Sequence, residues 1–192
     1  DDIKNGVDLV VEFRKRAGEA LYLALAIDVT FSPRAGKEKL ERIAKRLRVG
    51  LLAEVKYFHP KNVFMPQVIV GASREAVRDV IPLWLGRKNK ELSEHVIQFM
   101  ILEEVRVQLE AFKEYVLFLM ERESHPKRKE LFRIIAEIHD GALQTILDIV
   151  KSKEDLRKKL GVSLATLLKD PVFAAVIGEA ARFREGFAAG SR

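Results

Sequence analysis

Apolar residues recur every three or four positions along most of this chain, which is the spacing of helices that each bury one face. The pattern is clearest over residues 89–150, where two apolar stripes flank the segment Ser124-His125-Pro126. A short connection makes neighbouring helices antiparallel, and proline suits the first position of a helix. The pattern therefore predicts a long antiparallel helical hairpin that bends at residues 124–126.

The same spacing predicts further helices on both sides of the hairpin. In the first of them Leu21, Leu25 and Val29 step by four, and Ser73 and Asp170 are expected to be N-caps of later ones. The predicted segments are 7–28, 37–48, a short helix after Ser73, 151–160, 163–168 and a last helix that begins at Pro171.

Residues 51–71 show the composition and alternation of β-strands instead of the helical spacing. Residues 63–70 are rich in β-branched and aromatic side chains, and a turn signal over 59–62 separates them from partial alternation over 51–58. Pro66 indicates an edge strand or a bulge. The expected fold is mainly α: a helical bundle built on the hairpin, with a small two-stranded β element near residues 51–71. The expected parts are N-terminal helices (1–50), the β element (51–72) and the bundle (73–192), which one domain can contain.

Composition narrows the class of protein. The 192 residues include no cysteine, which excludes disulfides and thiolate metal sites. Charged residues make up 32%, and Asn and Gln are few. This composition favours a thermophilic, intracellular origin, such as an archaeal one. The longest apolar run, residues 20–27, is too short to span a membrane, and no signal peptide is evident. We therefore predict a cytoplasmic protein with no membrane partner.

Catalytic motifs are missing from the sequence. It contains no Gly-x-Ser-x-Gly, no glycine-rich phosphate loop and no His-Glu-x-x-His. The residues thus indicate neither an enzyme nor a cofactor, although they leave an enzyme open.

A metal site in the hairpin is a weaker alternative. Glu104, His139 and Asp140 can approach the interior, and the rhythm of residues 132–142 is similar to that of ferritin-like helix pairs. Those pairs hold iron with Glu and Glu-x-x-His, whereas this chain has Gln108 and Ala142 at the corresponding places. A packed bundle with a hydrogen-bonded histidine is the competing interpretation.

Basic clusters are the main electrostatic signal, in a chain of net charge +6. Such clusters can contact phosphates without reading sequence. The candidate nucleic-acid-binding residues are Lys39, Arg42, Lys45, Arg46, Lys127, Arg128 and Lys129, and Arg87, Lys88 and Lys90 form a further cluster. Interleaved acids such as Glu41 and Glu130 make a charged, solvated surface the competing interpretation.

Trp84 is the single tryptophan and lies in the dense apolar stretch 80–86. It either packs at the seam between the β element and the helices, the expectation that we favour, or anchors a partner protein.

Residues 51–91 resemble part of a GINS subunit, a scaffold of the replicative helicase in archaea and eukaryotes. The resemblance is carried by Ala53-Glu-Val-Lys56 and by Ile81-Pro-Leu-Trp-Leu85. It implies a small β domain ahead of a helical domain, and a non-enzymatic role in assembly and DNA replication. The helical segment before residue 50 departs from that pattern.

We therefore predict a non-enzymatic scaffold or assembly subunit with protein partners, in a homo- or hetero-oligomer that can include nucleic acid. The alternatives are a ferritin-like metal or redox protein and a basic nucleic-acid-binding module.

Overall fold

The chain is mainly helical, as the apolar spacing predicts. The computed structural model describes residues 7–14, 22–55 and 63–189. Its strands are β1 (Leu9–Arg14), β2 (Tyr22–Thr30), β3 (Ala53–Val55), β4 (Val63–Met65) and β5 (Gln67–Gly71). Its helices are α1 (Pro33–Arg48), α2 (Arg74–Leu85), α3 (Asn89–Ser93), α4 (Ile97–Arg122), α5 (Pro126–Ser152), α6 (Glu154–Lys159), α7 (Leu164–Leu167) and α8 (Pro171–Ala189).

The predicted hairpin is confirmed and consists of α4 and α5. Pro126 is the first residue of α5, where its missing N–H costs no hydrogen bond. The bend-side half of the hairpin packs on α1, with Phe112 and Ile135 in that core, and the other half packs on the sheet through Leu109 and Ile146. The hairpin thus links the two halves of the hydrophobic core.

The prediction of a helix over residues 7–28 is wrong. Residues 9–14 and 22–30 form strands that pair antiparallel, with Leu9 opposite Ile27 and Val11 opposite Leu25. A step of four residues returns to the same face of a strand as well as of a helix, since four is twice the strand period. The spacing of Leu21, Leu25 and Val29 therefore fitted both structures. Residues 15–21 lie outside the described part of the chain.

The β element near residues 51–71 is confirmed, and Pro66 divides it. Before Pro66, β4 pairs antiparallel with β3. After it, β5 leaves that pair and lies parallel to β2, which gives a three-stranded sheet in the order β1-β2-β5. The predicted turn at 59–62 falls outside the described residues.

Helix α1 follows β2 and, with β3 and β4, lies in the connection between the parallel strands β2 and β5. It begins at Pro33, earlier than predicted, because the Ser32 hydroxyl accepts a hydrogen bond from the Ala35 N–H at 3.4 Å. It ends at Arg48, and Gly50 just beyond it has a φ of 78°, which favours glycine. The expected caps at Ser73 and Asp170 are present too, since their side chains accept hydrogen bonds from the N–H groups of Ala76 and Phe173.

None of the helices in the described ranges is long and apolar enough to cross a membrane.

Candidate interaction surface

The two faces of the three-stranded sheet have different neighbours, because successive side chains of β2 point in opposite directions. Leu25, Ile27 and Val29 face the hairpin. Asp28 points the other way, toward α1, and is 2% exposed. The apolar face is wider than the hairpin covers, so part of it borders open space.

That open space is a continuous apolar groove. It consists of two hollows of about 280 and 380 Å³ that share Val29, Val70 and Ile101. The first hollow is also lined by Phe31, Gly71, Ala72, Val77, Val80, Ile81, Trp84, Ile97 and Met100. The second is also lined by Leu9, Val11, Leu25, Ile27, Gln98, Leu102, Val105, Ile146, Ile149 and Lys153. No carboxylate occurs among these lining residues, and Lys153 is the charged one.

Helix α2 forms the outer wall of the first hollow. It carries apolar residues on several sides, yet none of its residues is buried. Trp84 and Leu85 are each 68% exposed, and Ile81 is 45% exposed. On the opposite rim Phe31, which follows β2, is 55% exposed. The packing that the described chain provides thus leaves this wall uncovered.

The C-terminus of α2 is held in a strained conformation. The N–H of Lys88 donates to the Leu83 carbonyl at 2.9 Å, and the N–H of Arg87 donates to the Trp84 carbonyl at 3.1 Å. This is the Schellman arrangement, in which the residue after the cap takes a positive φ. That residue is Arg87, with φ of 51°, whereas glycine adopts this conformation at little cost. Arg87 and Lys88 are exposed.

Glu104, one of the three metal candidates, lies at the edge of the sheet together with Gln108, and both are fully buried. The Gln108 side chain accepts from the Ile69 N–H and donates to the Ile69 carbonyl, both at 2.7 Å. The Glu104 carboxyl accepts from the Gly71 N–H at 3.1 Å. These two side chains, one helical turn apart on α4, satisfy the backbone of β5 where a further strand would pair.

Glu104 is uncharged at neutral pH. Burial raises its pKa to about 9, outweighing the hydrogen bond from Gly71, and the Asp170 carboxylate raises it further. A neutral carboxyl that caps a strand edge needs no metal, so the geometry gives Glu104 a structural role.

The other two metal candidates are placed apart from Glu104. His139 is fully buried against Phe112, with Nδ1 2.8 Å from the Ile135 carbonyl, and burial lowers its pKa to about 4. Asp140 instead pairs with Lys113 at 2.5 Å. Within the described ranges, no three residues among His, Asp and Glu are grouped so that they could hold a metal ion.

Three of the four basic candidates on α1 have partners within the described chain. Lys39 and Arg42 both bind the Asp28 carboxylate, Arg42 at 2.7 Å, and Arg46 donates to the Leu52 carbonyl at 2.6 Å. Burial raises the pKa of Asp28 although the two cations act against it. Of the four candidates on this helix, Arg42 and Lys45 are exposed, and Lys45 has no such contact among the described residues.

The basic cluster at the bend is exposed. Lys127, Arg128 and Lys129 all lie at the surface, and Arg128 pairs with Glu123 at 3.2 Å. The end of α1 approaches the same region, since a Cβ added to Gly50 would lie 2.5 Å from Leu131. The C-terminal end of α1 thus lies beside α5 near the bend.

The expectation that Trp84 packs in the core is wrong, because α2 has too few described neighbours to cover it. Sequence reasoning also missed Asp28 and Phe31. The available signal for both was the alternation of large apolar residues with small or polar ones over residues 23–30, since it places Asp28 on the other face and continues the large apolar positions to Phe31.

No family model, curated protein or solved structure matches this chain.

Proposed function

We propose that this protein is a non-enzymatic assembly subunit that binds a partner protein through the apolar groove. One observation carries the proposal: α2 is rich in apolar residues, and none of them is buried by the described chain. Contiguous exposed apolar surface of this kind is characteristic of interaction sites. Tryptophan is also enriched among the residues that contribute most to binding energy.

A protein segment suits the groove better than a small polar ligand does. Small-molecule sites enclose most of the ligand and orient it with several polar groups. In this groove Gln98 and Lys153 are the polar side chains in the lining, and Trp84 projects from the surface with 68% exposure. The groove therefore offers apolar contact area and little directional chemistry.

Trp84 provides a direct test because it is the single tryptophan. Its fluorescence is measured during titration with a short amphipathic helical peptide that carries leucine at the apolar positions and glutamine elsewhere. We expect a saturable blue shift as the indole leaves water. Ile81→Glu should weaken binding at least about tenfold, because it places a charge in the groove.

Leu164→Glu is the matched control, since Leu164 is 42% exposed and lies outside the groove lining. It should leave the titration unchanged. A wild-type protein whose Trp84 emission never shifts, or a titration that Ile81→Glu leaves intact, would refute the proposal.

Membership of a DNA-replication or other nucleic-acid assembly is a further, separate part of the proposal. It is supported by the exposed basic residues at the bend and by the resemblance of residues 51–91 to a GINS subunit. The Pro-Leu-Trp-Leu stretch of that resemblance lies inside α2, where Trp84 forms part of the groove wall.

A further inference from the structure

We infer that the occupant of the groove is an amphipathic helix of a partner protein with acidic residues along its flanks. This inference rests on the proposed function and adds the chemistry of the partner. It comes from three features of the described residues: the shape of the groove, the charges at its ends and the strained backbone of Arg87.

The shape favours a helix. The two hollows are joined through Val29, Val70 and Ile101, so that they form consecutive depressions in one apolar channel. A helix presents apolar side chains at positions i, i+3 or i+4 and i+7, which enter successive depressions of such a channel. An added strand would instead need a row of free backbone groups, and along β5 Glu104 and Gln108 already satisfy them.

The charges favour acidic flanks. Lys153 belongs to the lining of the second hollow, and Arg87 and Lys88 follow directly on the Trp84 end of α2 at the first. No described carboxylate lies within 4 Å of the charged groups of Arg87 or Lys88. The second hollow therefore has a cation in its lining, the first has two cations just beyond the helix that forms its wall, and neither has a lining acid.

The backbone of Arg87 indicates that its side chain has a use. Arg87 occupies the left-handed position of the Schellman turn, where glycine would be less strained. Local strain of this kind concentrates at functional sites. An exposed arginine that has no ion pair with the described residues, close in sequence to the exposed Trp84, matches the residue types that dominate protein interfaces.

A second copy of this chain is a poorer occupant. A two-fold interface uses the same surface of both copies, so the Arg87 and Lys88 pairs of both copies would enter one interface. That interface would hold four cations in a protein whose net charge is already +6.

The test compares three peptides with identical leucine positions and with Glu, Gln or Lys at all other positions, using Trp84 emission of the full chain. We expect the Glu peptide to bind at least about tenfold more tightly than the Lys peptide at low salt, with the difference shrinking as salt is added.

Arg87→Gly should lower the affinity for the Glu peptide about fivefold and flatten its salt dependence. It should also raise Tm by about 1–3 °C as strain is relieved. Arg87→Lys keeps the charge and should keep most of the affinity, and Lys127→Ala at the distant bend should change neither.

The outcomes separate the inference from the proposed function. Equal binding of the three peptides, or unchanged binding after Arg87→Gly, overturns the acidic helix and leaves the groove as a docking site. No emission shift with any peptide overturns both. Light scattering that shows a dimer, abolished by Ile81→Glu, overturns the partner helix in favour of a second copy.

Discussion

Helices α4 and α2 both carry strong apolar patterns, yet the described chain buries the apolar side chains of α4 and leaves those of α2 exposed or half-buried. The stripe of α4 is buried along its length, with Leu109 and Val116 fully inaccessible, whereas α2 buries no residue. Periodicity thus identifies the face of a helix that needs to be covered. It does not say whether the same chain or another molecule covers it.

The polar residues of the two helices show the same contrast. On α4, Glu104 and Gln108 are buried because they satisfy the backbone of β5. Around the end of α2, Arg87 and Lys88 remain exposed and meet no described carboxylate. Buried polar groups on one helix complete an internal structure, and exposed ones on the other remain available to a partner.

The largest predicted difference between the two helices is in the free energy of unfolding that each loses when one aromatic residue is truncated to alanine. Phe112→Ala removes a side chain that is 1% exposed and contacts His139 and Phe183, and we expect it to lower the free energy of unfolding by about 3–5 kcal/mol. Trp84→Ala should cost less than about 1 kcal/mol, since most of the indole already contacts water. Urea unfolding followed by far-UV circular dichroism measures both.

If both variants lost the same free energy of unfolding, Trp84 would belong to the core, and α2 would be no less buried than α4. Leu85→Ala serves as a control on α2, because Leu85 is 68% exposed, as Trp84 is, and lies outside the groove lining.

The next effect concerns the buried carboxyl of α4. The pKa of Glu104 rises from 4.5 to about 9 on folding, so between those values the folded chain holds a proton that the unfolded chain has released. Stability should therefore fall as pH rises across this window, by about 1.4 kcal/mol per unit and about 3 kcal/mol at pH 7. Above the folded pKa the loss is complete.

Glu104→Gln tests this assignment, because the amide resembles the protonated carboxyl. We expect the variant to be more stable than the wild type at pH 8 and to lose the downward slope between about pH 5 and pH 9 in a series of urea titrations. Glu121→Gln, an exposed carboxylate on the same helix, should keep the wild-type slope. An unchanged slope in Glu104→Gln would show that Glu104 ionises normally.

Sequence alone was sufficient for the features that depend on local periodicity and caps. The hairpin, its bend at Pro126 and the cap residues Ser73 and Asp170 all follow from spacing and residue type. The helix predicted over residues 7–28 failed because spacing by four fits a strand as well, and strand pairing with residues far along the chain decided the outcome.

The candidate site could be predicted only in part. Trp84 was recognised as a possible anchor, but the same apolar density predicts a buried core residue when a partner is not considered. Glu104 and Gln108 were recognised as polar positions on an apolar stripe, but the β5 edge that they satisfy lies more than thirty residues away in sequence, as their separations of 33 and 39 residues show.

The smallest predicted effect concerns the N-cap of α2, whose loss should change hydrogen exchange in α2 and not in α4. The Ser73 hydroxyl caps α2 by accepting from the Ala76 N–H at 3.2 Å, and Ser73→Ala removes this bond while keeping the Ser73 N–H that donates to Asp170. Loss of an N-cap costs about 1 kcal/mol. If α2 opens independently of the core, its amides should exchange hydrogen about fivefold faster, while those of α4 keep their protection.

Hydrogen-exchange mass spectrometry resolves the two helices as separate peptides, and Ser163→Ala, which removes the equivalent cap of α7, should leave α2 unchanged. Faster exchange along α4 in Ser73→Ala would show that α2 is part of the cooperative core, and the exposed wall of the groove would then owe its apolar residues to internal packing rather than to a partner.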